Sequence, residues 1–167
     1  MRYLLFTFLL LSLMSSSSAL AQCEISNRVT PDGSMYYFVK PLQFYSTADR
    51  QLKGGVVTDN ENYFILLSPL PFPPKPDGSN LKSDIQMKLA NHQVYTLKHF
   101  DSRYAQSDTL FEMIYLIDKK YLDDFQHNDV DEVTMNMGKA EPARVYEFKL
   151  HKAAIREQLS CLKNRER

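Results

Sequence analysis

Only two cysteines occur in the chain, Cys23 and Cys161, and they lie near opposite ends of the part that can fold. In an oxidising compartment two such residues most simply pair, which obliges the first and last structural elements to meet. The residues ahead of Cys23 point to that compartment. Arg2 is followed by an apolar run over residues 4–14, small polar residues at 15–18 and then Ala19-Leu20-Ala21. This is the order of basic region, apolar region and cleavage site in an export signal. The run is shorter than the ~20 residues a helix needs to cross a bilayer, so residues 1–21 read as a signal peptide rather than a transmembrane segment. Cleavage after Ala21 removes 21 of the 167 residues and leaves 146, so residues 22–167 are expected to form a single exported domain. Lipid anchoring at Cys23 is the disfavoured alternative, because Gln22 stands where a bacterial lipoprotein signal carries a small residue.

The cysteines are expected to form a disulfide rather than a catalytic thiol or a metal site. Neither belongs to a C-x-x-C pair. Zinc needs more ligands than two cysteines supply, and the four histidines are scattered without ligand spacing. Composition narrows the class further. The chain carries 20 basic and 20 acidic residues, which disfavours a nucleic-acid binder or a polybasic membrane-surface protein. With 44% hydrophobic residues, 10 Phe and 10 Tyr there is material for a core, and the 5 Gly exclude a collagen-like chain.

Period-2 patterns dominate the chain after the leader. Ile85, Met87 and Leu89 alternate with Asp84, Gln86 and Lys88, as in a strand with one buried and one wet face. Asn91-His92 then supplies a tight turn into a strand over residues 94–100. Pro31-Asp32-Gly33-Ser34 predicts a turn between strands at 24–30 and 35–40. Residues 62–68 and 109–117 are apolar at both parities and read as central strands covered on both sides. Two last strands are expected at 132–137 and 145–150, joined through residues 139–143.

Two segments switch to the helical period. Asp118 can cap a short helix with Tyr121, Leu122 and Phe125 on its apolar side. From about His151 onward, Ile155, Leu159 and Leu162 follow one helical face, with Cys161 on its flank, where it can reach the first strand. The segment from Pro69 to Gly78 holds five prolines and predicts a stiff extended crossover rather than a ligand for polyproline-binding modules. The expected fold is α+β: a largely antiparallel sheet of about seven or eight strands, one short helix, and a C-terminal helix packed on the sheet.

Chemistry has few places to reside. His99, Asp101 and Arg103 would project to one side of an extended strand, so a hydrolase-like use of His99 and Asp101, with His151 as a further candidate, and ligand contacts from Arg103 and Tyr104 are the alternatives to a solvated strand end. Asp123, Asp124, Asp129, Asp131 and Glu132 form an acidic stretch without the order of a calcium loop and read as solvated. No nucleophile elbow, P-loop, zinc-protease motif or dinucleotide fingerprint occurs, and no cofactor or metal is expected. Strands followed by a C-terminal helix resemble small barrel carriers such as lipocalins in architecture, without their Gly-x-Trp signature, because the chain has no Trp. The expected function is therefore a non-catalytic binding or interaction module of the cell envelope, periplasmic or secreted, meeting an envelope protein or a small ligand. A carrier of a small apolar ligand inside a barrel-like sheet is the first alternative, and the hydrolase-like enzyme the second.

Overall fold

Alternation becomes antiparallel pairing throughout. A computed structural model describes residues 23–30, 33–75, 81–138 and 142–165. These residues contain ten strands: β1 (Ile25–Val29), β2 (Met35–Val39), β3 (Leu42–Ser46), β4 (Gln51–Thr58), β5 (Tyr63–Leu70), β6 (Ile85–Leu89), β7 (Val94–Ala105), β8 (Leu110–Ile117), β9 (Val130–Met135) and β10 (Arg144–Glu147). Helix α1 (Leu122–His127) follows a single 3-10 turn after β8, and α2 (Ala154–Arg165) closes the described chain. The strands form one sheet in the order β1-β2-β4-β5-β8-β7-β6-β9-β10, with β3 also on β4. The fold is α+β, and the sheet is not closed into a barrel. Residues 1–21, where a signal peptide is expected, together with Gln22, Pro31, Asp32, residues 76–80, 139–141 and 166–167 lie outside the described residues.

The sheet coils until its last strand meets β3. Leu150 N–H donates to the Phe44 carbonyl at 3.1 Å, and the rings of Phe44 and Phe148 stack with centroids 4.2 Å apart. The coil encloses one core. Phe44, Ile65, Met87, Phe111, Val133 and Tyr146 meet there from different strands, and Phe125 of α1 and Ile155, Leu159 and Leu162 of α2 join them, all fully buried. Each such side chain is worth ~1.5–3 kcal/mol of burial. Among the described residues this interior is lined and packed by buried side chains.

Two strands escape the periodicity, β3 and β4. β4 is buried from Gly54 to Thr58 on both faces and carries Gly54-Gly55 in its middle, which removes the alternation that marks a strand. Close packing explains the glycines. A Cβ on Gly54 would run into the Leu66 carbonyl oxygen, and one on Gly55 would lie 2.8 Å from Gln158 Oε1. β4 is also where the sheet is interrupted. Its edge opposite β5 pairs with β3 up to Gly54 and with β2 from Val57, so the corner between β2 and β3 leaves a rung empty. Gln158, reaching in from α2 and 3% exposed, fills that rung: its Oε1 accepts from Val56 N–H at 2.8 Å and its Nε2 donates to the Lys40 carbonyl at 3.2 Å. A side-chain amide thus replaces a missing peptide group.

The expected disulfide is present. Cys23, just ahead of β1, is bonded to Cys161 of α2 across a Cα–Cα distance of 5.6 Å. Inner-face residues Ile25, Tyr37 and Val39 of β1 and β2 pack against the same core as α2. The Asn91-His92 turn also forms, with His92 rather than Asn91 taking the left-handed conformation, at φ 68°. The crossover after β5 is bound to the body. Phe72 packs against Tyr104 and Phe111, Arg144 donates to the Pro71 carbonyl at 2.5 Å, and Tyr104 Oη donates to that of Pro73 at 2.6 Å. Pro69 sits within β5, where only β4 pairs with it, so its missing N–H leaves no rung unfilled.

Gln158→Leu removes the acceptor of the buried Val56 N–H and is expected to lower stability by about 1–3 kcal/mol in denaturant unfolding, whereas Glu157→Gln on the exposed side of α2 is expected to change it little. Reduction of Cys23–Cys161, which closes a loop of 138 residues, is expected to lower the unfolding free energy by about 2–4 kcal/mol, read as a fall in denaturant midpoint between non-reducing and reducing buffer.

Candidate functional site

A single irregularity in β7 decides which side chains can act together. Register across β7 and β8 runs His99 to Tyr115 and then Asp101 to Ile114, so Phe100 is an extra, bulged residue. In a regular strand His99, Asp101 and Arg103 would share a face. The bulge separates them. His99 turns to the inner face, its ring edge-on to Tyr115, while Phe100, Asp101 and Arg103 line the opposite, outer face.

On the inner side the bulge creates a pairing that spacing alone would forbid. His99 Nε2 lies 2.7 Å from Ser102 Oγ, and Ser102 Oγ donates to the Leu81 carbonyl at 3.2 Å. The Asp84 carboxylate accepts from the His99 backbone N–H at 3.0 Å, with Lys98 Nζ at 2.6 Å; the Lys98 bond first, and then the backbone bond, hold the Asp84 carboxyl below its ordinary pKa. Burial lowers the His99 pKa, with Asp101 opposing it from a distance. Among the described residues no hydrogen bond joins His99, Asp101 and His151. His151 is exposed at the junction before α2, with φ 50°, and its carbonyl accepts the Ala154 N–H. Tyr104 anchors the proline-rich crossover and lies on the inner side with Phe111.

The outer face holds an opening. β1 and β2 form an arm joined to β4 through only two residue pairs, Tyr37 with Thr58 and Phe38 with Val57. β1 and β8 are four strand spacings apart in the sheet order, about 19 Å if the sheet were flat. Yet Arg28 of β1 lies 3.8 Å from Glu112 of β8. The arm therefore curls back over the outer face. Beneath it is a trough of about 690 Å³. Its floor and walls are apolar: Phe38, Val57, Leu66 and Ile114, with Phe100 at the rim against Phe64, ring centroids 4.7 Å apart. Phe100 is 53% exposed, which marks the side open to solvent.

One end of the trough is charged. Glu112 is 7% exposed and accepts from Arg103 Nε at 2.8 Å. Arg28 approaches the same carboxylate oxygen at 3.8 Å, beyond hydrogen-bond distance, and its side chain is 52% exposed. The arrangement suits a molecule with an apolar body and one polar end, since ligand sites combine apolar walls with a few placed polar groups in ~300–1,000 Å³. Of the candidates read from sequence, Arg103 and Asp101 line this trough, while His99, Tyr104 and His151 do not. Arg28, Glu112 and Phe100 are additions from the structure. Glu112 was detectable in principle, as the one charge inside a run expected to be covered on both sides.

The acidic stretch is dispersed among other partners. Asp129 is paired with Arg156 and Asp131 with Lys152, each at 2.9 Å, and Asp124 accepts from Tyr95 Oη at 2.8 Å. Among the described residues no group of three His, Cys, Asp or Glu is placed to hold a metal ion, and no helix is long and apolar enough to cross a membrane. No protein-family model, curated protein or solved structure matches the chain.

His99 binds its proton more weakly folded than unfolded, so the unfolded state takes up more protons as pH falls through the ordinary histidine value of ~6.5. The stability it contributes is present above that value and is lost as the pH falls. Histidine ring shifts followed by NMR should give His99 a midpoint below that of a free imidazole, and His99→Asn should flatten part of the acid-side decline in stability. A midpoint at or above the free value contradicts this burial.

Proposed function

We propose that the protein is an exported, non-catalytic binding module, and that its binding site is the outer trough beneath the β1–β2 arm. The observation that carries this reading is the trough itself: about 690 Å³, walled by apolar side chains and open to solvent at Phe100. Exposed apolar surface of this kind on a small protein is costly in water unless something occupies it. The filled interior directs the reading away from a lumen and toward this face. Support for export comes from the Cys23–Cys161 disulfide, which persists in oxidising compartments, together with the leader pattern over residues 1–21.

The site acts by preorganised burial rather than by bond making. An apolar ligand gains ~25 cal/mol for each Å² of its surface removed from water, and the sheet floor needs no rearrangement to receive it. The hydrolase-like alternative rests on His99 and Asp101, which the bulge turns to opposite faces of the sheet, so that His99 meets Ser102 instead. It lacks an orienting carboxylate on the free ring nitrogen of His99, which is the third group such chemistry uses.

The test uses N-phenyl-1-naphthylamine, an uncharged fluorophore that brightens in apolar surroundings. One saturable site per chain is expected. Ile114→Arg, which plants a charge in the floor, should abolish the signal, and Phe100→Asp, at a rim position that is already half exposed, should weaken it about tenfold while the protein keeps its melting transition. No saturable signal, or a signal equal in both folded variants, overturns the reading.

A further inference from the structure

We infer that the trough takes an amphiphile with a single carboxylate head and an unbranched apolar tail, the head lying against Arg28. This rests on the trough being the binding site. The charges at this end choose the sign of the head. Glu112 is nearly buried, and its carboxylate accepts from Arg103, so its charge is already compensated by a guanidinium. Arg28 is the less committed of the two arginines. It stands 3.8 Å from Glu112 with half of its side chain in water, and a guanidinium carries five N–H donors. A carboxylate arriving there makes short charge-assisted bonds, bidentate where the fork allows. Asp101, also on the lining, repels an anion from the Phe100 side and so favours placing the head at the Arg28 end.

The tail then has one course. From Arg28 and Glu112 the apolar lining continues over Ile114 and Leu66 toward Val57 and Phe38, successive outer-face positions on β8, β5, β4 and β2. This is a sheet floor with no polar side chain among those residues. A bulky or branched body has the walls of the arm on one side and Phe100 on the other, whereas a single chain can lie between them.

The pairing of charges within the lining favours the same sign. There Arg28 and Arg103 balance Asp101 and Glu112. A carboxylate beside Arg28 leaves the Arg103–Glu112 pair intact. A cationic head would have to displace Arg103 from Glu112 or stay out at Asp101, away from the apolar floor.

The experiment is isothermal titration calorimetry with dodecanoate, methyl dodecanoate and dodecyltrimethylammonium, each below its micelle concentration, with naphthylamine binding measured on the same samples. Dodecanoate is expected to bind one per chain and about tenfold or more tighter than the other two. Arg28→Gln should remove most of that preference, lowering dodecanoate affinity several-fold more than naphthylamine affinity, and Arg28→Lys should restore part of it. Arg28 is on an exposed strand, so these variants keep the fold, which a melting curve verifies. Equal binding of the three probes, unaffected by Arg28→Gln but lost in Ile114→Arg, overturns the carboxylate inference and leaves the trough standing. Loss of both dodecanoate and naphthylamine binding in the native protein overturns the trough reading itself. Tight binding of the ammonium, or association only with phosphatidylglycerol vesicles and not with monomeric dodecanoate, assigns a different occupant and overturns the inference.

Discussion

The carboxamide of Gln158 holds the place where this sheet changes direction. β2 and β3 are consecutive strands that both run along one edge of β4, and the corner at Lys40-Pro41 leaves Val56 without a strand partner there. A buried N–H without a partner costs about 1–3 kcal/mol, a large share of a typical domain's stability of ~5–15 kcal/mol. Gln158 satisfies it and binds the Lys40 carbonyl with the other end of the same amide. The consequence is architectural. Because the interruption is satisfied from α2, β2 is free to leave the edge of β4 after two residue pairs, and the β1–β2 arm can curl over the outer face instead of extending it.

The bulge at Phe100 does for side chains what Gln158 does for the backbone. Without it, His99 and Asp101 would share a face with Arg103, and the inner core would have to accept a carboxylate and a guanidinium or the outer face a half-buried imidazole. With it, the imidazole meets Ser102 and Tyr115 on the inner side, and the acid and base line the trough. One inserted residue thus separates the His99–Ser102 pair from the charged end of the trough. Bulges commonly re-aim side chains next to functional sites.

Much of the fold is legible in the residues because it obeys simple periods. The strand at residues 85–89, the two-sided strands β5 and β8, the capped turn before α1 and the stripe of Ile155, Leu159 and Leu162 all follow from alternation or helical spacing. So does the disulfide, which needs only two cysteines and the flank of a helix. β3 and β4 are not legible, and the strand count is ten rather than the expected seven or eight, because Gly54-Gly55 and burial on both faces erase the period-2 signal. The site is less legible than the fold. Arg103 and Asp101 stand out as polar residues near a strand end, but the grouping with His99 depends on a regular strand, and a bulge has no signature in the residues themselves. Arg28 and Glu112 are 84 residues apart in sequence, and their approach depends on how far the arm curls, a property of the whole sheet.

The same sheet therefore has a solvent-free face and an incompletely covered one, and the difference lies in what covers each. The inner face is covered by the sheet's own coil and by two helices, with many fully buried side chains holding one another. The outer face is covered by a two-stranded arm, and two strands alone are marginal in water. What fixes the arm is a short set of contacts: two residue pairs with β4, the packing of Ile25, Tyr37 and Val39, the Cys23–Cys161 bond, and the approach of Arg28 to Glu112. The first three act at the end of the arm near α2, while Arg28 and the edge-on contact of Tyr36 with Phe64 act over the outer face. The arm is therefore tied covalently at one end and by side-chain contacts over the trough at the other. The disulfide is thus more than a clasp joining two termini: it positions the β1 strand from which Arg28 reaches the site.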